Sequence, residues 1–364
     1  MAGNVCPFPA TALESIVMKP LLYPPKPKPG DKVAVLSPSG GLPEIFPRPF
    51  DLGLSRLREQ FGLEPVEYPG TRKLGASPRS RAQEVNAAFA DPEIKAVICS
   101  IGGEDQITVL PYLDQDVLRA NPKPFFGYSD ATNLLAYLHS LGIVGYHGGA
   151  IMTQYGRPGA LHPATEASLR AALFGSGAYE LSPGPEFCDL DKDWADPASF
   201  AAEPPMSPSE GWTWHRPERV VEGASWGGNV EILSWLAMAD RCIGDPARFD
   251  GGVLLLESSE ELPSAEVVFR ILRNLGERGV LRPFGAVLVG RAKAWSFDQP
   301  LDPDAARAYR AAQRAAVLRA FAEYAPEAMI VFDVEFGHTE PQVVLPYGGL
   351  IRVDGPARRL TVSY

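Results

Sequence analysis

Short apolar runs alternate with amphipathic stretches along the first half of the chain. Runs at residues 32–36, 96–101 and 124–128 have the length and β-branched or aromatic content of buried strands. Between them, apolar residues recur at helical spacing, as with Leu54, Leu57 and Phe61. Ser77 before Pro78 is typical of a capped helix start, and a further helical stretch is expected near Val109. Strands separated by helices are typical of parallel pairing with right-handed crossovers, so the pattern predicts an open α/β sheet.

The pattern weakens in the middle of the chain and then resumes. Residues 173–222 lack clear periodicity and are rich in Pro, Gly and Trp. After them we predict a glycine-rich turn at 223–228, a helix at 229–240, a strand at 252–256 and a long alanine-rich helix near 303–324. We therefore predict four parts: an extended proline-rich lead-in (1–30), an N-terminal α/β nucleophile domain (31–172), a linker with a Trp-rich loop (173–222) and a C-terminal domain (223–364).

Composition limits the classes of molecule that the protein is expected to bind. The 364 residues are 45% hydrophobic and carry a formal net charge of -10, which disfavours a nucleic acid as partner. The four cysteines are scattered without a C-x-x-C pair, so we expect reduced thiols and no metal site. Residues 1–22 contain no apolar core of signal-peptide length, and no run is long enough for a membrane span. A cytoplasmic protein without membrane association is the expectation.

Two polar features follow predicted strands at the sheet edge where ligands bind in such folds. Ser129 lies in a sharp strand-to-helix turn, where its hydroxyl could attack a carbonyl and the Asp130 N–H could bind the resulting oxyanion. Gly103, in a glycine pair after the third strand, could supply a second N–H. The ordinary alternatives are a helix N-cap for the serine and a simple turn for the glycines.

A carboxylate and an imidazole also follow apolar strands. Glu257 ends a run of four apolar residues, and His338 comes just after the strand near Ile330. A serine hydroxyl needs an imidazole to remove its proton, and that imidazole needs a carboxylate to orient it; His338 and Glu257 could fill these roles. Glu257 could instead be a solvent-facing acid, and His147 is a second candidate for the base.

Taken in order, the motifs resemble the L,D-carboxypeptidase family of serine peptidases. The resemblance spans residues 28–348 and rests on KPGD at 28–31, KVAVLSPS at 32–39, SIGG at 100–103, LD at 113–114, GYSD at 127–130, WGGN at 226–229, LLE at 255–257, FGHT at 336–339 and PYG at 346–348. It implies a flavodoxin-like or glutaminase-like parallel-sheet domain, followed by a mixed α/β domain. It also implies a homodimer without cofactor or metal.

The resemblance also assigns roles to residues. It implies a triad of Ser129, His338 and Glu257 with an oxyanion hole from the amides of Gly103 and Asp130. The choice of Glu257 over the nearby Glu260 rests on the family pattern.

Two substrate classes occur in the family. Typical members remove D-alanine from murein tetrapeptides, whereas members resembling microcin C immunity proteins cut an amide between an aminoacyl group and a nucleotide-like group. The Trp-rich loop favours the second class, because Trp212 and Trp214 could stack on a base. Trp226 and Asn229 are further candidates for substrate contact. Each tryptophan could equally fill a domain junction.

Two other classes of protein compete with the hydrolase. A catalytically silent ligand-binding protein could keep all the fold motifs. A dehydrogenase is disfavoured, because residues 37–41 lack the G-x-G-x-x-G spacing of a dinucleotide-binding turn.

Overall fold

The computed structural model describes residues 21–364, so the first twenty residues of the predicted lead-in, with Cys6, lie outside the described part. Within it the chain forms sixteen strands and eight α-helices, joined by short 3₁₀ turns and one π-helical turn. In chain order these are β1 (Lys32–Leu36), α1 (Pro47–Glu59), β2 (Glu64–Glu67), α2 (Pro78–Ala90), β3 (Ile94–Cys99), α3 (Gln115–Ala120), β4 (Phe125–Gly127), α4 (Thr132–Ser140), β5 (Gly145–His147), α5 (Pro163–Phe174), β6 (Ala178–Leu181), β7 (Glu186–Phe187), β8 (Ser207–Pro208), β9 (Thr213–His215), β10 (Val220–Asn229), α6 (Val230–Met238), β11 (Val253–Glu257), α7 (Ala265–Glu277), β12 (Ala286–Gly290), α8 (Pro303–Tyr324), β13 (Met329–Val334), β14 (Leu345–Tyr347), β15 (Leu350–Asp354) and β16 (Arg359–Ser363).

The first sheet has six strands in the order β14-β5-β4-β3-β1-β2. Its five N-terminal strands run parallel, and β1, β3, β4 and β5 bury almost every side chain, whereas the edge strand β2 is largely exposed or half-buried. The sixth, β14, comes from the end of the chain and pairs antiparallel with β5. The first sheet is therefore completed by a strand from the predicted C-terminal domain.

The second sheet has eight strands in the order β6-β16-β15-β10-β11-β12-β13-β9. Strands β10 to β13 are parallel, and antiparallel strands flank them on both sides. Strands β6 and β9 come from the predicted linker 173–222. The predicted α/β class, a mainly parallel sheet in the N-terminal part and a mixed sheet in the second part, is confirmed.

Two local predictions are wrong. The glycine run at 223–228 is not a turn but part of the ten-residue strand β10. Its glycines allow close packing: a Cβ on Gly227 would lie 2.0 Å from the Leu255 carbonyl oxygen, and one on Gly228 would lie 2.7 Å from Thr132 Oγ1. The helical stretch expected near Val109 consists only of two 3₁₀ turns, the second of which contains Pro111.

Other predicted elements agree closely. Ser77 caps α2 through its side chain, with Pro78 at the first helical position, and the helix predicted from Pro303 to Tyr324 has those bounds. None of the helices in residues 21–364 combines the length and the apolar character that a bilayer crossing requires. Cys99, Cys188 and Cys242 are free thiols.

Candidate active site

Ser129 occupies a strained turn between β4 and α4. Its φ of 61° lies in the left-handed region, which costs a non-glycine residue free energy and is common at functional sites. The 3₁₀ turn that starts at Ser129 and the helix that follows have no side-chain cap. The N-cap alternative for this serine is therefore wrong, and the hydroxyl is available for another role.

The end of strand β3 packs directly against this turn. A Cβ on Gly102 would lie 2.9 Å from Ser129 Cβ and 3.5 Å from the Asp130 nitrogen. A Cβ on Gly103 would lie 2.9 Å from Ser39 Cβ. Only glycine lets these segments come so close, so Gly102 packs on the Ser129 turn and Gly103 packs on Ser39.

The side chain of Asp130 holds the turn in place by hydrogen bonds to buried neighbours. Its carboxylate accepts hydrogen bonds from the Gln106 N–H at 2.9 Å and from Asn133 Nδ2 at 2.8 Å. Burial raises the pKa of Asp130 to about 6, even though these bonds act in the opposite direction. Asp130 can thus serve through its backbone N–H while its side chain holds the start of the helix.

His338 and Glu257 form a buried pair. His338 Nδ1 lies 2.6 Å from Glu257 Oε2, and the two side chains are only 8% and 1% exposed. Glycines make room for the carboxylate, since a Cβ on Gly337 would lie 2.7 Å from Glu257 Cβ and one on Gly290 would lie 3.0 Å from it. Glu257 thus holds the imidazole by the nitrogen opposite the one that a nucleophile would use.

The pair changes both pKa values. Burial is the largest single influence on Glu257 and would raise its pKa, but the charges and hydrogen bonds of His338 and His147 together lower the pKa to about 2. Burial alone would lower the pKa of His338, but the neighbouring Glu257 carboxylate raises it to about 9. The Glu257–His338 ion pair is therefore the stable form at neutral pH.

Two further residues contact this pair. His147 Nε2 lies 3.8 Å from Glu257 Oε1, and the His147 side chain is fully buried. Glu260 Oε2 lies 3.3 Å from His338 Nε2 and is 55% exposed. Of the two acids that the sequence leaves open, Glu257 is therefore the buried partner of Nδ1. His147 lies at the other oxygen of the Glu257 carboxylate, on the strand that pairs with Gly127.

Ser129 and His338 line one cavity of about 850 Å³, which also borders Gly102, Gly103 and Glu260. No hydrogen bond joins the serine hydroxyl to the imidazole in the described part of the chain, where Nε2 faces Glu260 instead. The nucleophile and base candidates thus face a common space that can hold a ligand of nucleotide or oligopeptide size.

The four predicted substrate contacts lie elsewhere. Trp226 is 1% exposed and packs at a tilt against Phe249 with ring centroids 4.6 Å apart, so it is a core residue. Asn229 is 2% exposed and caps helix α6 by accepting a hydrogen bond from the Ile232 N–H.

Trp212 and Trp214 are also placed away from the cavity. Trp212 donates a hydrogen bond to Glu335 at 2.7 Å, and Trp214 lies on β9 at the edge of the second sheet. Among the described residues, none of the four predicted contacts lines the cavity.

The tryptophan at the cavity is Trp194, which sequence reasoning missed. It lies in the same Trp-rich segment and packs edge-on against Phe46, with ring centroids 5.8 Å apart. Nothing in its local sequence distinguishes it from Trp212 or Trp214, because the segment has no periodicity that would orient side chains.

Comparison with known proteins agrees with the geometry. Residues 33–148 match the LD-carboxypeptidase N-terminal domain, and residues 222–353 match the LD-carboxypeptidase C-terminal domain. The chain belongs to the LD-carboxypeptidase family. This family is a peptidase family, so the chain is a peptidase-type enzyme, and the predicted family membership is confirmed.

Relatives within the family carry two kinds of name. The probable murein peptide carboxypeptidase of Bacillus subtilis is 28% identical over 340 residues, covering 88% of this chain and 87% of that protein. The microcin C7 self-immunity protein MccF of Escherichia coli is 24% identical over 288 residues, covering 78% of each chain. MccF in complex with aspartyl sulfamoyl adenosine shares the fold, with a TM-score of 0.81, 22% identity and coverage of 94% of this chain and 98% of that one.

Proposed function

We propose that this LD-carboxypeptidase family member is a serine hydrolase that cleaves amide bonds of small aminoacyl or peptide-like substrates through Ser129, His338 and Glu257. The observation that carries the proposal is the buried 2.6 Å contact between His338 Nδ1 and Glu257. The His338 imidazole lines the same cavity as Ser129, whose side chain caps no helix. A silent binding protein has no need for this combination of strained serine and oriented imidazole.

The proposed reaction is a proton transfer through His338 coupled to attack by Ser129. His338 Nε2 accepts the proton of Ser129 Oγ as the oxygen attacks the carbonyl carbon, and the backbone N–H groups of Gly103 and Asp130 stabilise the oxyanion. The imidazolium then gives the proton to the departing nitrogen, which leaves an acyl-enzyme that water hydrolyses in the same way. Glu257 stabilises the imidazolium at each stage.

The substrate class we propose is an aminoacyl group joined through an amide to a nucleotide-like leaving group. The shared fold with MccF bound to aspartyl sulfamoyl adenosine supports this choice. The cavity also has room for such a ligand, with the Trp194 indole available to stack on a base and Lys73 available to an anionic linker.

Removal of D-alanine from a murein tetrapeptide is the second candidate. It is supported by the higher identity to the murein peptide carboxypeptidase of Bacillus subtilis than to MccF, 28% against 24%. Both candidates use the same nucleophile, so the assay must separate them by leaving group.

The test is hydrolysis of aspartyl sulfamoyl adenosine and a murein tetrapeptide by purified protein, side by side. We expect turnover of the first, and loss of that turnover in Ser129→Ala and in His338→Ala. Ser140→Ala is the matched control, because Ser140 is an exposed serine at the far end of α4. An active Ser129→Ala protein would reject the nucleophile, and an active His338→Ala protein would move the base role to His147.

We also propose a homodimer in the cytoplasm, without a nucleic-acid or membrane partner. Light scattering after size exclusion measures the mass in solution, for which twice 39.3 kDa is expected. A monomer at micromolar concentration would contradict the dimer.

A further inference from the structure

Glu260 is a half-exposed carboxylate at the reactive edge of the proposed base. Its Oε2 lies 3.3 Å from His338 Nε2, and its side chain is 55% exposed and lines the cavity. The triad does not use this residue, because Glu257 already holds Nδ1. Glu260 therefore stands between the imidazole and whatever occupies the cavity.

The turn that carries Glu260 is fixed from inside the protein. Glu231, on α6, accepts hydrogen bonds from the Ser259 N–H at 3.1 Å and the Ser259 hydroxyl at 2.7 Å. The Ser259 hydroxyl oxygen accepts a further bond from the Glu261 N–H at 3.2 Å. Because its neighbours on both sides are held, Glu260 starts from a defined position and only its side chain is free to move.

The contact with Glu260 has a cost for catalysis. Nε2 must accept the proton of Ser129, yet in this structure Nε2 faces a carboxylate. Three carboxylates, Glu257, Glu260 and Glu231, stabilise the charged imidazole, whereas burial and the neutral Tyr128 ring 5.0 Å away do not. A charged imidazole cannot act as a general base, so Glu260, which faces Nε2 and adds its charge to that of Glu257, favours the unreactive form of the resting site.

We propose that Glu260 recognises a free α-amino group on the acyl residue of the substrate, and that this ammonium draws Glu260 away from His338 Nε2. The inference rests on the proposed function and deepens it. The α-nitrogen of an aminoacyl amide is two bonds from the carbonyl carbon that Ser129 attacks, which puts it within reach of a carboxylate beside the base. An acyl residue whose α-nitrogen is already in a peptide bond carries no charge there and leaves Glu260 in place.

Binding and activation are then one event. The ammonium gains a charge-assisted partner, and the imidazolium loses a carboxylate that kept it protonated. Its Nε2 proton then passes to solvent through the open cavity, and the neutral Nε2 can accept the serine proton. The selection favours amides of single free amino acids over internal peptide bonds, and it acts on kcat/KM together with its pH dependence.

The experiment compares alanyl sulfamoyl adenosine with its N-acetyl derivative, in which an added acetyl group removes the charge of the α-nitrogen; the Glu260→Gln variant separates the effect of charge from that of the added bulk. For the wild-type protein we expect kcat/KM to favour the free amine by about fivefold or more, the scale of one partly exposed charge pair. In Glu260→Gln the preference should fall towards one, and the acidic limb of the pH profile should move to lower pH.

The matched control is Glu104→Gln, which removes a charge from the same cavity on the side of the glycine pair. This variant should keep the preference. An equal loss of preference in both variants, or a full preference in Glu260→Gln, would overturn the proposal, because overall cavity charge or another residue would then select the amine.

A second readout does not depend on turnover. In the Ser129→Ala protein, NMR titration of the His338 ring should show a lower pKa when alanyl sulfamoyl adenosine is added and no change with the N-acetyl compound. An unchanged His338 titration with both compounds at millimolar concentration overturns the proposal. Turnover of neither compound by the wild-type protein would instead reject the proposed function, so the two failures are distinguishable.

Discussion

Replacing Glu257 with glutamine removes one charge from the buried pair and keeps the shape of the side chain. The displacement of the Glu257 pKa from 4.5 to about 2 corresponds to about 3 kcal/mol of stabilisation of the charged pair. The displacement of the His338 pKa from 6.5 to about 9 gives the same figure. The Glu257–His338 contact is the main favourable contribution to both shifts and is counted once, with smaller contributions from His147 to the first shift and from Glu260 and Glu231 to the second. Both side chains are more than nine-tenths buried, so solvent screens the pair little.

The pH at which this free energy is present follows from the directions of the two shifts. The raised pKa of His338 adds its full share to the free energy of unfolding below pH 6.5, and this share is lost as pH rises through about 9. The lowered pKa of Glu257 adds its full share to the free energy of unfolding above pH 4.5, and this share is lost as pH falls through about 2. The pair therefore stabilises the fold most between pH 4.5 and 6.5.

Urea unfolding of the wild-type and Glu257→Gln proteins at pH 5.5 and pH 9.5 measures this effect. We expect the variant to be less stable by about 3 kcal/mol at pH 5.5 and the gap to shrink strongly at pH 9.5. The variant should also lose about 10³-fold or more in kcat, since a neutral side chain no longer stabilises the imidazolium. A stability gap that is the same at both pH values would refute the ion-pair reasoning.

Two further predictions concern the same pair. In the wild-type protein, kcat/KM should fall on acidification with an apparent pKa well above 6.5, because Glu257 and Glu260 keep His338 protonated; a rate independent of pH between 5 and 8 would contradict general-base catalysis. Gly337→Ala should lose most activity, because the new Cβ would lie 2.7 Å from Glu257 Cβ at a φ of 90°. Gly142→Ala is the control, with a φ of 85° and open space around it; it should unfold more easily, by about 1 kcal/mol, but stay active. Equal activity of the two glycine variants would show that the space around Glu257 is not critical.

The fold was largely accessible from the sequence because buried parallel strands are nearly continuous apolar runs. The run at Lys32–Leu36 is one such strand. The start of α2 was predictable for a different reason, because Ser77 and Pro78 are residues typical of a helix N-terminus. The reasoning failed at β10, where glycines that normally mark turns serve close packing between backbones. At β10, packing against distant parts of the chain decides the structure, although glycine has a low intrinsic preference for strands. Such packing leaves no pattern in the local sequence.

The candidate site was accessible for a related reason. Ser129, Glu257 and His338 each follow an apolar strand, and the carboxyl ends of strands converge in such folds. What could not be predicted is the surroundings of the pair. The contacts of His147 and Glu260 with it join parts of the chain that have no shared pattern, and the orientation of Trp194 depends on an irregular segment.

Strand β14 has a consequence for how this enzyme can be divided. Leu345–Tyr347 is the edge strand of the first sheet, yet it is followed within three residues by β15 of the second sheet. A fragment that stops before this strand would expose the backbone of β5, and a fragment that carries it would present an edge with no sheet to join. A chimera of two relatives joined at the boundary of the two matched regions would therefore need to take this strand from the same parent as the N-terminal half.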